Sequence, residues 1–124
     1  MFQGVSTSGG SNLLVQIGSG SVTTTGYSGY VFLSATGRSA FSTGFMVTGL
    51  DATTSVMNGS AILSLFSGNT WLETGIITDS SASVLGSSQS AGSVALGGAL
   101  DRVRITTVNG TDAFDAGTIN ILYE

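Results

Sequence analysis

Ser60-Ala61-Ile62-Leu63-Ser64-Leu65-Phe66-Ser67-Gly68-Asn69-Thr70-Trp71-Leu72-Glu73-Thr74-Gly75-Ile76-Ile77-Thr78 holds two β-forming runs joined by a turn. Ile, Leu, Phe, Trp and Thr suit a pleated, half-buried surface. In the connector Ser67-Gly68-Asn69-Thr70, Gly and Asn tolerate positive φ. Ser60–Phe66 and Trp71–Thr78 are therefore expected to pair as an antiparallel hairpin.

The same grammar extends in both directions. Short apolar runs stand at Phe2–Val5, Leu13–Ile17, Tyr30–Ser34, Phe45–Thr48, Ser93–Leu96, Arg102–Val108 and Thr118–Tyr123, separated by Gly, Ser and Asn. In Arg102–Val108, Val103, Ile105 and Thr107 share one face, and Arg102, Arg104 and Thr106 the other. In Thr118–Tyr123, Ile119, Ile121 and Tyr123 share a face. These last two runs flank Asn109–Gly117 and are expected to form a second hairpin with an extended loop. The Ser-rich stretch Asp79–Gly92 reads as a loop, or as holding an irregular strand around Val84–Leu85. No stretch sustains a helical period. Eight or nine short strands predict an all-β antiparallel sandwich, of jelly-roll type, in one domain spanning residues 1–124.

Composition narrows the chemistry. Of 124 residues, 55 are Ser, Thr or Gly, and Pro, Cys, His and Lys are absent. A chain without Cys or His has no disulfide, zinc–thiolate site, imidazole ligand or Ser-His-Asp triad. A net charge of −4 with three Arg argues against nucleic acid or an anionic membrane as partner. No apolar run reaches membrane-spanning length, and Met1-Phe2-Gln3-Gly4 does not read as a signal peptide. The mean hydropathy of +0.40 opposes disorder. Charged residues make up 8%, against roughly 25% in ordinary domains. Sheet edges are usually guarded by Lys or Pro, and this chain has neither. Its edges are expected to be covered by sister copies or by a larger particle.

Leu100-Asp101-Arg102-Val103-Arg104-Ile105-Thr106-Thr107-Val108-Asn109-Gly110-Thr111-Asp112-Ala113-Phe114-Asp115-Ala116-Gly117-Thr118-Ile119-Asn120-Ile121-Leu122-Tyr123-Glu124 resembles the ending of tail-fibre and tail-spike C-terminal domains and related virion structural proteins of tailed phages. Phe2–Gly9 and Ser67–Trp71 fit the same pattern. The resemblance implies a virion-exterior component, assembled as a homotrimer beside other virion proteins. Its implied role is a distal fibre or spike domain that binds host surface glycans. The alternative is a decoration protein of capsid, collar or fibre with a purely structural role. The family usually carries a further basic strand segment before the position of Phe2. The resemblance thus implies a first strand that is missing here or supplied by another chain.

Candidate chemistry is sparse. Asp112 and Asp115, with Asn109 and Thr111 nearby, offer oxygen ligands for Ca2+, or cap turns. No cofactor is expected. Tyr27, Tyr30 and Trp71 can stack on sugar rings. Tyr27, in Gly26-Tyr27-Ser28-Gly29, reads as exposed, whereas Trp71 reads either as a rim residue or as a core or interface aromatic. Glu73, Asp79, Asp101, Asp112 and Asp115 invite a glycosidase reading, but nothing raises one pair above another. An enzyme is not expected. Arg102 and Arg104 are expected to form salt bridges within or between subunits.

Overall fold

The computed structural model describes residues 1–34, 37–49, 52–81 and 86–123. Among the described residues are eleven strands: β1 Phe2–Thr7, β2 Leu13–Ser19, β3 Ser21–Val22, β4 Ser28–Leu33, β5 Gly37–Phe41, β6 Phe45–Met46, β7 Met57–Ser67, β8 Thr70–Asp79, β9 Gly86–Ala95, β10 Arg102–Thr107 and β11 Phe114–Ile119. The paired strands all run antiparallel. They form a large sheet ordered β11-β1-β7-β8-β9-β4-β5. In a smaller sheet β2 lies between β10 on one edge and β3 and β6 on the other. The chain is the expected small all-β sandwich, with β3 and β5 added to the strands read from the sequence.

The β7–β8 hairpin forms as its sequence dictates. Leu65 stands opposite Trp71 and Ser67 opposite Thr70, with Gly68 at φ +56° in the turn. Facing residues of the two sheets make one apolar cluster. It includes Val5, Leu13, Ile17, Val31, Phe45, Val47, Met57, Ile77 and Val94. Each fully buried side chain of this size contributes roughly 1.5–3 kcal/mol over an exposed one.

The expected C-terminal hairpin does not form. β10 pairs with β2 in the small sheet, while β11 pairs with β1 in the large one. The two ends of the chain instead run side by side as a ribbon crossing from sheet to sheet. At the crossing, Ser8 N–H bonds Ala113 O at 2.9 Å and Val108 N–H bonds Asn12 O at 2.9 Å. Each C-terminal strand finds its partner 84 to 117 positions away. That arrangement lets Thr107 and Ile105 face the same interior as Leu13 and Ile17, which a local hairpin in one sheet would not.

The last strand is also shifted. It covers Phe114–Ile119, not Thr118–Tyr123, because its partner β1 ends its pairing with Phe2 opposite Ile119. Ile121 and Tyr123 do not pack with Ile119; they are exposed. In the Ser-rich stretch, Val84 and Leu85 lie outside the described residues. Residues from Gly86 onward form a regular ten-residue strand rather than a loop. Small side chains are what that strand needs. The Phe41 ring lies across Gly29 and Gly92, and a Cβ on Gly92 would stand 2.7 Å from it.

Tyr27 is corrected as well. It is a core residue, 3% exposed, its ring edge-on to Phe45 with centroids 4.8 Å apart. Its hydroxyl accepts from Ile17 N–H at 2.9 Å and lies 3.1 Å from Ile17 O and 3.0 Å from Thr23 O. The hydroxyl fills the break on the β2 edge between β3, which pairs Gly18 and Ser19, and β6, which pairs Leu14 and Val15. The flanking glycines that suggested exposure instead let the chain turn in. Tyr27→Phe strands the Ile17 N–H and is expected to lower stability by about 1–3 kcal/mol. In urea unfolding the midpoint falls while the slope stays constant.

Candidate functional site

Period-two alternation along β8 sets up the two features of the large sheet that carry chemistry. Leu72, Thr74, Ile76 and Thr78 point outward. Trp71, Glu73, Gly75 and Ile77 point into the sandwich, and Glu73 and Ile77 are fully buried.

The outer face reads row by row. Ile62 stands opposite Thr74, Thr74 opposite Ala91, and Ala91 opposite Tyr30. In the next row Ser60, Ile76, Gln89, Phe32 and Arg38 follow one another. Ile62, Leu72, Ile76, Tyr30 and Phe32 are all exposed. A shallow depression between β7, β8 and β9 is walled by Ile62, Ile76 and Gln89. Arg38 is the charged side chain of these rows, and its guanidinium carbon lies 5.0 Å from the centre of the Tyr30 ring. That cation–π contact holds the ring in place.

Beneath this face lies Glu73, 1% exposed. Its Oε1 accepts from Ser90 Oγ at 2.8 Å, and its Oε2 has no hydrogen-bond partner. Gly75 makes room for the pair, since a Cβ there would lie 2.5 Å from Ser90 Oγ and 2.7 Å from Glu73 Oε1. Burial raises the Glu73 pKa to about 7, with the Ser90 hydrogen bond acting in the opposite direction. The carboxyl is thus half-protonated near neutrality.

Among the described residues, the remaining carboxylates serve the fold. Asp79 Oδ1 accepts from the N–H groups of Val56 at 3.1 Å and Ser81 at 2.8 Å. Asp101 pairs with Arg102 at 2.7 Å and accepts from Gly20 N–H, and the Arg102 bond holds its pKa down at about 2. Asp112 accepts from Ser11 N–H at 3.0 Å and Asn109 Nδ2 at 2.8 Å, as a loop cap does. Asp115 accepts from Ser6 Oγ across the β1–β11 pair. Among the described residues no three acidic groups gather as a metal site would require. Asp112 and Asp115 stay with the ribbon crossing and the edge strand.

Arg102 forms the expected ion pair, whereas Arg104 bonds Gln16 Oε1 at 2.7 Å through Nε. Of the three aromatic candidates, Tyr30 alone is exposed. Trp71 is half-buried against the core, opposite Leu65 and Val94. The sequence reading passed over Glu73 as one carboxylate among five. Its signal was a place on the same strand face as Trp71 and Ile77. The chain matches no protein-family model, no curated protein and no solved structure.

Glu73 links stability to pH. Its folded pKa lies above the ordinary 4.5. The stability it permits is therefore full below about 4.5 and is lost as pH rises through about 7. The loss amounts to on the order of 3 kcal/mol. Chemical denaturation from pH 4 to 8 is expected to show this decline, and Glu73→Gln, which never ionises, is expected to flatten it.

Proposed function

We propose that the chain is a non-enzymatic structural component of a phage virion, a rigid β-sandwich that packs its outer sheet face against neighbouring protein. The observation that carries the role is that face itself. Taking roughly 200 Å2 for a fully exposed large side chain, Tyr30, Phe32, Ile62, Leu72 and Ile76 expose on the order of 500 Å2 between them. Patches of that size rimmed by polar residues mark interaction sites. Ser60, Thr74, Gln89 and Ser93 supply the polar frame. The virion setting rests on the resemblance of residues 100–124 to tail-fibre and tail-spike endings. A decoration role on capsid, collar or fibre follows from combining the two.

Host-glycan binding is the second reading, and the Tyr30–Arg38 pair favours it. An exposed aromatic ring, held by a cation that can also reach a sugar hydroxyl or carboxylate, makes a stacking platform. The retreat of Tyr27 into the core removes the other loop aromatic this reading used.

Immunogold labelling of intact phage particles with antibody against the purified chain tests the leading reading. Label on the particle exterior is the expected result, and particles that carry the coding sequence yet stay unlabelled would overturn it. A glycan array separates the roles, since binding abolished by Tyr30→Ala would shift the assignment to receptor recognition.

A further inference from the structure

The outer face of the large sheet is patterned about one strand. β9 turns Ser87, Gln89, Ala91 and Ser93 outward, a strip of small or neutral side chains. On one side of it, β8 and β7 carry Leu72, Ile76 and Ile62. On the other, β4 and β5 carry Tyr30, Phe32 and Arg38. The face thus has an aliphatic half and an aromatic half, each two strands wide, with β9 as the divide.

Charge is nearly absent from it. Within β4, β5, β7, β8 and β9 the charged residues are Arg38, Glu73 and Asp79. Glu73 and Asp79 share the inward parity of β8, so Arg38 is the one charge turned outward. An ordinary charged surface laid on this face would bury its ionised groups against hydroxyls and apolar side chains, at a cost. A second copy of the same face brings no acidic group at all.

We propose that two copies of the chain pack these outer faces together about a twofold axis running along β9. The inference rests on the protein-packing role proposed above for this face and names the partner as a second copy. The axis lays β8 of one copy over β4 of the other, and β7 over β5. Rows keep their level, because rotation about an axis parallel to the strands moves no residue along it. Ile76 then falls over the partner's Phe32, and Thr74 over the partner's Tyr30. Ile62 falls over the partner's Ala40, and Ser60 over the partner's Arg38. Gln89 meets the partner's Gln89 on the axis, and a carboxamide offers both donor and acceptor to its like. Ala91 also lies on the axis, where its small side chain lets the sheets approach to the roughly 10 Å of aligned packing.

Size and charge agree. Five strands at about 4.8 Å make the face about 24 Å wide, and the rows from Ser87 to Ser93 make it about 20 Å long. The footprint is on the order of 500 Å2 per copy, so the pair reaches the about 1,000 Å2 at which specific interfaces begin. The two Arg38 groups stay four strand spacings apart, about 19 Å, beyond the about 8 Å screening length of physiological salt. Each copy uses the same patch, so the contact closes at two.

Sedimentation equilibrium of the full chain tests the proposal. A species of twice the 12.4 kDa chain mass is expected. Ala91 is exposed, and Ala91→Glu sets two carboxylates together on the axis. It is expected to weaken the dimer roughly 100-fold or more with an unchanged circular dichroism spectrum. Ala91→Arg is expected to act alike, and mixing the two variants is expected to restore a dimer of one Glu and one Arg chain. Ile76→Ser, which adds no charge, is expected to weaken the dimer as well. Thr24→Glu, in the exposed turn after β3, is expected to leave it intact. A monomeric full chain, a trimer, or a dimer that neither Ala91→Glu nor Ile76→Ser weakens would each overturn the proposal. A monomeric chain whose antibody still labels the particle exterior would overturn self-pairing and leave the virion role standing. A dimer that responds as expected, from a chain that labels no particle, would uphold the pairing without that role.

Discussion

The sandwich is held closed by the pairing of its two ends. β1 and β2 lie in different sheets, as do β10 and β11, and each end pairs with the other across the whole crossing. Backbone groups of the crossing loops bond one another, and Ser8, Ser11, Asn109 and Asp112 supply side-chain oxygens to further N–H groups. Without this ribbon the small sheet would consist of β2 and two-residue fragments, too little to stand alone. The core residues Leu13, Ile17 and Ile105 reach the large sheet only because the ribbon fixes both layers at once.

The low charge has its physical counterpart in how the chain fills space. Ser and Gly occupy inward positions on β9, so an aromatic ring and a carboxyl fit where larger side chains would collide. Glu73 sits in the room that Gly75 and Ser90 leave. An unpartnered oxygen in a protein interior is costly when charged and tolerable when protonated. Loss of that proton, rather than any ion pair, is therefore the electrostatic weak point of the interior. The outer face shows the opposite economy of charge, with apolar side chains in water and a lone guanidinium stacked on one of them.

Legibility followed the range of the interactions. The β7–β8 hairpin was readable because its turn chemistry and its apolar runs lie within nineteen residues. Strand existence was readable at nine places, but β3, β5 and the first half of β9 lay in Gly- and Ser-rich stretches that read as turns. Partner choice was not. Val103 and Ile119 alternate as hairpin strands do, and only the distant β2 and β1 decide otherwise. Tyr27 was misread because glycines mark both exposed turns and inward bends, and the hydroxyl's role depends on a break in a ladder that local sequence does not reveal. Glu73 could have been found from its strand face. Asp112 showed its capping role through the Asn109–Gly110 turn, while the contact of Asp115 with Ser6 needed the β1–β11 register.

The ribbon also dictates an order of events during synthesis. β1 and β2 emerge from the ribosome long before β11 and β10, the strands that pair with them. During that interval a sparsely charged nascent chain presents open strands with no Lys or Pro to deter mispairing. Sequence separations this large also slow productive closure, because loop entropy is lost before the contacts form. A chaperone that shields the N-terminal strands until β10 and β11 have been translated would protect the two edges that stay open longest.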